Sequence, residues 1–219
     1  MPRETKPILC YVTDRLALPV SSQSAAESLT QVIRRAVAAG IDWLQLREKD
    51  LPARRLLEFA REAVEAARSG GTRILVNDRL DVALAAGAAG VHLGEQSLPV
   101  AEVARWRAAS AQAPAGFLLG ASCHSQAAAR EAERGGCDYI IFGPVYATPS
   151  KAAQGPPQGL ERLAEVCRSV RIPVLAIGGV TLSNAAACLA AGAAGLAAIR
   201  LFQESLDLPL LVNRLRSPA

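Results

Sequence analysis

Eight short apolar runs recur along the chain, and each one ends abruptly in polar, charged or glycine residues. The runs are mostly continuous, whereas strands exposed on one face alternate apolar and polar residues. Continuous runs of this length are typical of parallel strands that are covered on both faces. We therefore predict eight buried strands, at residues 8–12, 43–46, 74–76, 90–93, 117–119, 139–142, 174–177 and 196–199.

Stretches with helical spacing of apolar residues separate these runs, at residues 25–39, 53–68, 101–107, 125–134, 160–170 and 183–191. Strands that alternate with helices predict a parallel α/β architecture. Eight such units favour closure into a single (β/α)8 TIM barrel, one domain over residues 1–219. An open, doubly wound sheet is the alternative fold.

Composition narrows the class of protein. The amino terminus carries Arg3, Glu4 and Lys6 without a long apolar stretch, so we expect no signal peptide, no membrane span and a cytoplasmic location. Five scattered cysteines show no metal-ligand spacing, and their odd number argues against a disulfide framework. A net charge of +4 with few aromatic residues gives little support to nucleic-acid binding. The oligomeric state stays open, a homo-oligomer included.

Two cations follow the second strand. In a closed parallel barrel all carboxyl strand ends meet at one mouth, where a site can be assembled from residues remote in sequence. Arg47 and Lys49 are two residues apart, so both can face that mouth while Glu48 turns away. Such a pair suits a polyphosphate ligand, and a surface salt-bridge cluster is the alternative.

Asn77 and Asp78 end the third strand. A carboxylate close to phosphate-binding cations is a natural Mg²⁺ ligand, because proteins hold this ion with one or two carboxylates together with substrate phosphates. The alternative is that Asp78 caps the helix that follows.

Ser122 and His124 follow the fifth strand and are candidates for catalysis. An imidazole at a barrel mouth can serve as an acid or a base near neutral pH. Ser125, the next residue, is a candidate for the N-cap of the helix that follows. His92 lies within the fourth strand, and we interpret it as a structural residue whose hydrogen bonds are satisfied inside the fold.

The loop after the sixth strand and the turn after the seventh predict phosphate binding. Thr148, Ser150 and Lys151 supply two hydroxyl groups and a cation within four residues. The long, proline-rich loop of residues 146–158 is also a candidate for closure over a ligand. Gly178 and Gly179 let backbone N–H groups approach an anion closely, and this barrel class often binds phosphate after strands seven and eight.

Taken together, these segments resemble the thiamin phosphate synthase and thiazole tautomerase superfamily over nearly the whole chain. The motifs that carry the resemblance are Gln45-Leu46-Arg47-Glu48-Lys49, Asn77-Asp78-Arg79, Gly90-Val91-His92-Leu93-Gly94, Gly143-Pro144 through Thr148 and Lys151, Gly155-Pro156-Pro157 with Gly159-Leu160, and Ala176-Ile177-Gly178-Gly179.

The motifs are closer to thiamin phosphate synthase, a transferase of thiamin biosynthesis. That enzyme joins hydroxymethylpyrimidine diphosphate to thiazole phosphate through a pyrimidine cation and releases pyrophosphate. The resemblance implies that Arg47, Lys49 and Lys151 hold the diphosphate and that Thr148 and Ser150 donate hydrogen bonds to it. Such preorganised charge would stabilise the departing pyrophosphate.

The resemblance also assigns the remaining contacts. It implies that Asp78 binds Mg²⁺, that Gln45, Asn77 and Ser122 contact the substrates, and that the turn at Gly178-Gly179 meets the thiazole phosphate. The substrates are small phosphorylated molecules, and neither a nucleic acid nor a membrane is implied.

Two positions depart from the synthase pattern. Ser97 stands where the synthases usually have a second metal-binding Asp, and Arg200 stands where they usually have Ser. Glu95 could compensate for the first change, and Arg200 could add a phosphate contact. If neither compensation holds, two alternative functions are better supported. One is a thiazole tautomerase, which needs no metal and would use His124 as the proton shuttle. The other is a non-catalytic barrel that binds a phosphorylated ligand.

Overall fold

The chain forms a closed barrel of eight parallel strands. The computed structural model describes residues 6–18, 25–148 and 156–217. The strands follow each other around the barrel in sequence order, and the last pairs with the first. Their bounds are β1 (Ile8–Val12), β2 (Trp43–Leu46), β3 (Arg73–Asn77), β4 (Gly90–Leu93), β5 (Leu118–Cys123), β6 (Tyr139–Phe142), β7 (Val174–Ile177) and β8 (Gly195–Ala198). The predicted (β/α)8 barrel is confirmed, and the open sheet is excluded.

Helices surround the barrel and connect its strands. They are α1 (Ala25–Ala38), α2 (Ala53–Ala67), α3 (Leu80–Ala86), α4 (Val100–Ala109), α5 (Gln126–Arg134), α6 (Gly159–Ser169), α7 (Ala185–Ala190), α8 (Arg200–Gln203) and α9 (Leu208–Arg216). The apolar period located six of them to within a few residues. It did not locate α3, α8 or α9. None of the helices in the described residues is long and apolar enough to cross a membrane.

Alternate residues of each strand face the barrel interior, because side chains alternate along a strand. Cys10, Val12, Leu75, Ile141 and Leu175 pack together inside the barrel. The residues between them face outward and pack against the helices in a second, larger cluster. This alternation determines which residues near the carboxyl strand ends point into the mouth.

Strand β5 differs from the sequence prediction. The apolar run ends at Leu119, but the strand continues to Cys123, so Ser122 lies within it rather than after it. The residues Gly120, Ala121 and Ser122 are weak strand formers, which hid the extension. Gly120 is required there, because a Cβ atom would lie 2.1 Å from the ring of Tyr139.

Candidate active site at the barrel mouth

Four polar side chains enter the barrel near its mouth from four neighbouring strands. Gln45 on β2 is in register with Val12 of the interior cluster, and Asn77 on β3 is in register with His92 on β4. Ser122 on β5 is in register with the inward Ile141. We call these four residues the polar arc. All four point into the barrel, because residues paired in register on parallel strands face the same side of the sheet.

Hydrogen bonds link the polar arc to Asp78. Gln45 Nε2 donates to Asn77 Oδ1 over 3.3 Å, and Asn77 Nδ2 donates to Asp78 Oδ2 over 2.6 Å. The other carboxylate oxygen, Oδ1, accepts the Ser97 hydroxyl and, over 3.1 Å, the backbone N–H of Gly94. Asp78 and Ser97 therefore lie in direct contact at the ends of two adjacent strands.

The backbone of Asp78 adopts an uncommon conformation. Its φ angle is +62°, a left-handed value that Asp tolerates better than most residues. The Asp78 N–H donates to the carbonyl of His92 over 2.9 Å, and the Arg79 N–H donates to the carbonyl of Asn77 over 2.8 Å. Helix α3 has Arg79 at its N-cap, without a side-chain capping bond. The alternative that Asp78 caps this helix is therefore wrong.

Glu48 anchors the segment that follows β2 to the segment that follows β1. Its carboxylate is buried and accepts the Thr13 hydroxyl over 2.6 Å and the Arg15 guanidinium over 3.1 Å. The same Thr13 hydroxyl accepts the backbone N–H of Arg47 over 3.0 Å. The backbone between the two predicted phosphate-binding cations is thus fixed to the end of β1.

The cations themselves are available for a ligand. Among the described residues, no hydrogen bond or ion pair engages the side chains of Arg47 and Lys49. Lys49 is exposed, and it lines a pocket of about 260 Å³ between the segments that follow β2 and β3. The rest of its lining consists of Glu48, Leu51, Leu56, Asn77, Asp78 and Arg79. A negatively charged ligand there would lie between a cation and a potential metal ligand.

His92 is buried between two hydroxyl groups. It is 1% exposed, its Nδ1 lies 3.1 Å from the Tyr139 hydroxyl, and its Nε2 lies 2.9 Å from the Ser122 hydroxyl. Burial lowers the pKa of His92 to about 3; the charge of Asp78 raises it and that of Arg47 lowers it. The imidazole is therefore neutral at physiological pH. The interpretation of His92 as a residue with satisfied hydrogen bonds is confirmed.

His124 lies at the rim of the mouth. Its Nδ1 forms a hydrogen bond with the Gly143 carbonyl, and its Nε2 lies 3.9 Å from a carboxylate oxygen of Glu95. A carbonyl only accepts, so Nδ1 carries the proton in this bond and Nε2 faces outward. Ser125 caps α5 by accepting the Ala128 N–H.

Glycines shape the mouth after β6 and β7. Gly178 and Gly179 have φ angles of +95° and +63°, which favour glycine. The Val145 N–H donates to the Ile177 carbonyl over 2.8 Å, and the Tyr146 N–H donates to the Gly178 carbonyl over 3.0 Å. Within the described part of the chain, the N–H groups of Gly178 and Gly179 have no acceptor. Two adjacent free N–H groups can bind an anion.

The remaining predicted residues are placed as follows. Thr148 is half-buried in the segment that follows β6. Ser150 and Lys151 lie outside the described residues, as does much of the loop predicted to close. Arg200 begins α8 at the end of β8, and its half-exposed side chain lies 3.9 Å from Glu204.

Sequence reasoning missed two contributors to the site. Thr13 fixes the backbone of Arg47, and Tyr139 contacts His92 from inside the barrel. Thr13 directly follows an apolar run, as the predicted site residues do, which is a usable signal. Tyr139 lies within an apolar run, and nothing in the sequence shows that its hydroxyl would find a partner.

Asp78 and Ser97 present oxygen atoms suited to a hard cation such as Mg²⁺. Within residues 6–18, 25–148 and 156–217, no group of three or more His, Cys, Asp or Glu residues could hold a metal alone. One carboxylate and one hydroxyl fit an ion whose other ligands come from substrate phosphates and water. The donor set is therefore compatible with Mg²⁺ bound together with a diphosphate.

Comparison with known proteins finds relatives over most of the chain. A family described as thiamine monophosphate synthase matches residues 16–202. A putative thiamine-phosphate synthase of Geobacter sulfurreducens is 49% identical over 191 residues, covering 87% of this chain and 84% of the relative. A thiamine-phosphate synthase of Methanoculleus marisnigri is 46% identical over 187 residues, covering 85% and 86%. A solved structure, the thiamine phosphate pyrophosphorylase of Pyrococcus furiosus, has a TM-score of 0.79 and 32% identity, covering 95% and 94%.

Proposed function

This chain belongs to the thiamine monophosphate synthase family and is a transferase that forms thiamin phosphate, and we propose that it does so with the polar arc, Asp78 and the cations after β2. The substrates are hydroxymethylpyrimidine diphosphate and thiazole phosphate, and the second product is pyrophosphate. The observation that carries the proposal is the pocket that Lys49 and Asp78 line together.

The diphosphate would bind after β2 and β3. Arg47 and Lys49 supply positive charge, and the hydrogen bonds of Glu48 and Thr13 hold the backbone between them. Lys151, Thr148 and Ser150 would bind it from the loop after β6. The backbone that carries Arg47 and Lys49 is held in place before the reaction, so their charges would stabilise the negative charge that develops on the leaving pyrophosphate.

Magnesium would bind between the diphosphate and Asp78, with Ser97 as the neighbouring oxygen donor. When bound, Mg²⁺ would neutralise part of the phosphate charge. Asn77 and the Gly94 N–H orient the Asp78 carboxylate, so its direction is fixed. Glu95 lies 3.9 Å from His124 at the same rim and could add a carboxylate.

The thiazole phosphate would bind at Gly178 and Gly179, whose two N–H groups have no acceptor among the described residues. Arg200 would add a positive charge from the end of β8. The two phosphate sites then lie on different sides of the mouth, with the pyrimidine and thiazole rings between them. Gln45, Asn77 and Ser122 would contact the rings and the reacting atoms.

The reaction breaks one bond and forms one. The bond between the pyrimidine methylene carbon and the diphosphate oxygen breaks, and its electron pair leaves with pyrophosphate. The thiazole nitrogen then shares its lone pair with the methylene carbon to form the new C–N bond. No side chain needs to act as a nucleophile, so the chemistry depends on positioning and on charge.

An assay of the purified full chain tests this proposal. We expect Mg²⁺-dependent formation of thiamin phosphate and release of pyrophosphate that requires both substrates. Isomerisation of the carboxythiazole phosphate tautomer alone would instead establish the tautomerase. Ligand binding without turnover of either reaction would establish the non-catalytic barrel.

A matched pair of lysine variants tests the site. Lys49→Met removes the cation in the pocket, whereas Lys6→Met removes one before β1 at the opposite end of the barrel. Loss of a charge-assisted contact costs about 1.5–3 kcal/mol, which is roughly 10- to 100-fold in kcat/KM for the pyrimidine diphosphate. Lys6→Met should match the wild type. Equal activities of the two variants would contradict the placement of the diphosphate.

A further inference from the structure

We propose that Tyr139 and His92 are positioning residues that orient the Ser122 hydroxyl as a hydrogen-bond donor toward the mouth. The inference rests on the proposed function, because it assigns a direction to a hydroxyl that would contact the substrates. Three side chains on three adjacent strands form the relay, and the hydrogen bonds that join them measure 3.1 Å and 2.9 Å.

The relay begins at Tyr139. This side chain is fully buried, and among the described residues its hydroxyl has one hydrogen-bond partner, His92 Nδ1. A buried O–H group without an acceptor costs about 1–3 kcal/mol, whereas an oxygen with one unused lone pair is tolerated more readily. The Tyr139 hydroxyl therefore donates to Nδ1, which must accept.

His92 transmits this direction. A neutral imidazole carries one proton, so a ring that accepts at Nδ1 has its proton at Nε2. Burial favours the neutral ring, since no carboxylate within the described part of the chain forms a hydrogen bond with its side chain. Nε2 then donates to Ser122 Oγ across 2.9 Å.

The donor at His92 Nε2 sets the orientation of the Ser122 hydroxyl. Its oxygen accepts from His92, so its own O–H group is free to donate to another acceptor. Ser122 is half-buried and faces inward near the mouth. A hydrogen-bond donor at that position stabilises an oxygen on which negative charge develops, and negative charge develops on the departing pyrophosphate. The opposite tautomer would make Ser122 the donor to His92 and leave only lone pairs facing the substrate.

Nitrogen NMR of the histidine rings tests the tautomer directly. The chain has two histidines, so a His92→Gln sample assigns both rings. We expect a protonated Nε2 in His92 and, where its ring is neutral, a protonated Nδ1 in His124, whose partner is the Gly143 carbonyl. The His124 ring is therefore an internal reference of the opposite tautomer. A protonated Nδ1 in His92 overturns the proposal, whatever the activity of the protein.

Two substitutions of His92 separate positioning from packing. The oxygen of His92→Asn can accept from Tyr139 at the former Nδ1 position but supplies no donor to Ser122. The amide of His92→Gln can place a donor near the former Nε2 position. We expect kcat to fall about 10-fold in His92→Asn with KM nearly unchanged, and to be about 5-fold higher in His92→Gln than in His92→Asn, since a donor aimed at developing charge acts mainly on kcat.

A double-mutant cycle with Ser122→Ala completes the test. If His92 acts through Ser122, His92→Asn should change kcat less than 2-fold in the Ser122→Ala background. An equal loss in both backgrounds would show that His92 only supports packing. Circular dichroism verifies that each variant is folded, and the NMR test on the wild type stands if a variant does not fold. A wild type that forms no thiamin phosphate would refute the proposed function, while the ring protonation would still decide the relay.

Discussion

The two sides of the barrel mouth are built in different ways. On the side of β2 to β5 the inward positions are the polar arc, and side-chain hydrogen bonds connect it to Asp78 and Ser97. On the side of β6 to β8 the inward residues are Ile141, Ile177 and Ile199. There the backbone N–H groups of Gly178 and Gly179 have no acceptor within the described residues, and the side chains of Thr148 and Arg200 lie in the segments that follow β6 and β8. One side can change its chemistry by exchanging a side chain, whereas the other depends on the absence of one.

The largest expected effect is at Gly179. A Cβ atom at this residue would lie 2.6 Å from the Ala147 carbonyl oxygen and 2.7 Å from Tyr146 Cβ, and φ is +63°. In Gly179→Ala the turn must shift, and a displacement of about 1 Å can cost roughly 100-fold in rate. We expect kcat/KM for thiazole phosphate to fall by about that factor, measured with the pyrimidine diphosphate at saturation.

Gly116→Ala is the matched control for this substitution. Gly116 has a φ of +70°, but nothing lies within 4 Å of a Cβ atom there, and the residue precedes β5 at the far end of the barrel. Both variants should lose about 1–2 kcal/mol of stability from the left-handed backbone. Only Gly179→Ala should lose activity. If the KM for thiazole phosphate is the same in both variants, the phosphate does not bind at Gly179.

A smaller effect is expected on the polar side, where Ser97→Asp replaces a proposed hydroxyl metal ligand with a carboxylate. The new carboxylate would lie against Asp78, so the metal-free protein should lose stability through repulsion of like charges. Mg²⁺ should restore that stability, because a ligand that binds the folded state raises the free energy of unfolding. We expect the Mg²⁺ concentration for half-maximal activity to fall about 10-fold.

Thermal unfolding with and without Mg²⁺ gives a second measurement on this variant. Ser217→Asp introduces the same residue on the exposed end of α9, at the opposite end of the barrel. The Mg²⁺-dependent rise in Tm should be larger in Ser97→Asp than in Ser217→Asp. Unchanged metal affinity in Ser97→Asp would show that the metal does not bind between residues 78 and 97.

The same contrast explains what the sequence could predict. Strand ends that carry charged or hydroxyl side chains identified the polar side, because a barrel brings all its carboxyl ends together. The resemblance implied a metal site near Asp78 and residue 97, and in the structure the side chains of Asp78 and Ser97 are joined by a hydrogen bond. The relay through Tyr139 could not be predicted, since an apolar run does not show which side chain crosses the barrel to contact a residue 47 positions away.

The smallest expected effect is the pH dependence of stability that comes from the buried His92 on the polar side of the mouth. The pKa of His92 is about 3 in the folded protein and near 6.5 in an exposed histidine. His92 therefore binds a proton below about pH 6.5 in the unfolded chain, but only below about pH 3 in the folded chain. The stability that neutral His92 contributes is complete above pH 6.5 and is lost as the pH falls toward 3.

Urea unfolding between pH 7 and pH 5 measures this loss, because most carboxylates titrate below that range. One proton contributes at most about 1.4 kcal/mol per pH unit, so the free energy of unfolding should fall by about 1 kcal/mol between pH 6 and pH 5. His92→Asn should remove that slope. His124→Gln should retain it, because that substitution leaves His92 and its two hydrogen-bond partners in place. Equal slopes in all three proteins would mean that protonated His92 is accommodated in the interior, and the polar side would then be wetter than its hydrogen bonds indicate.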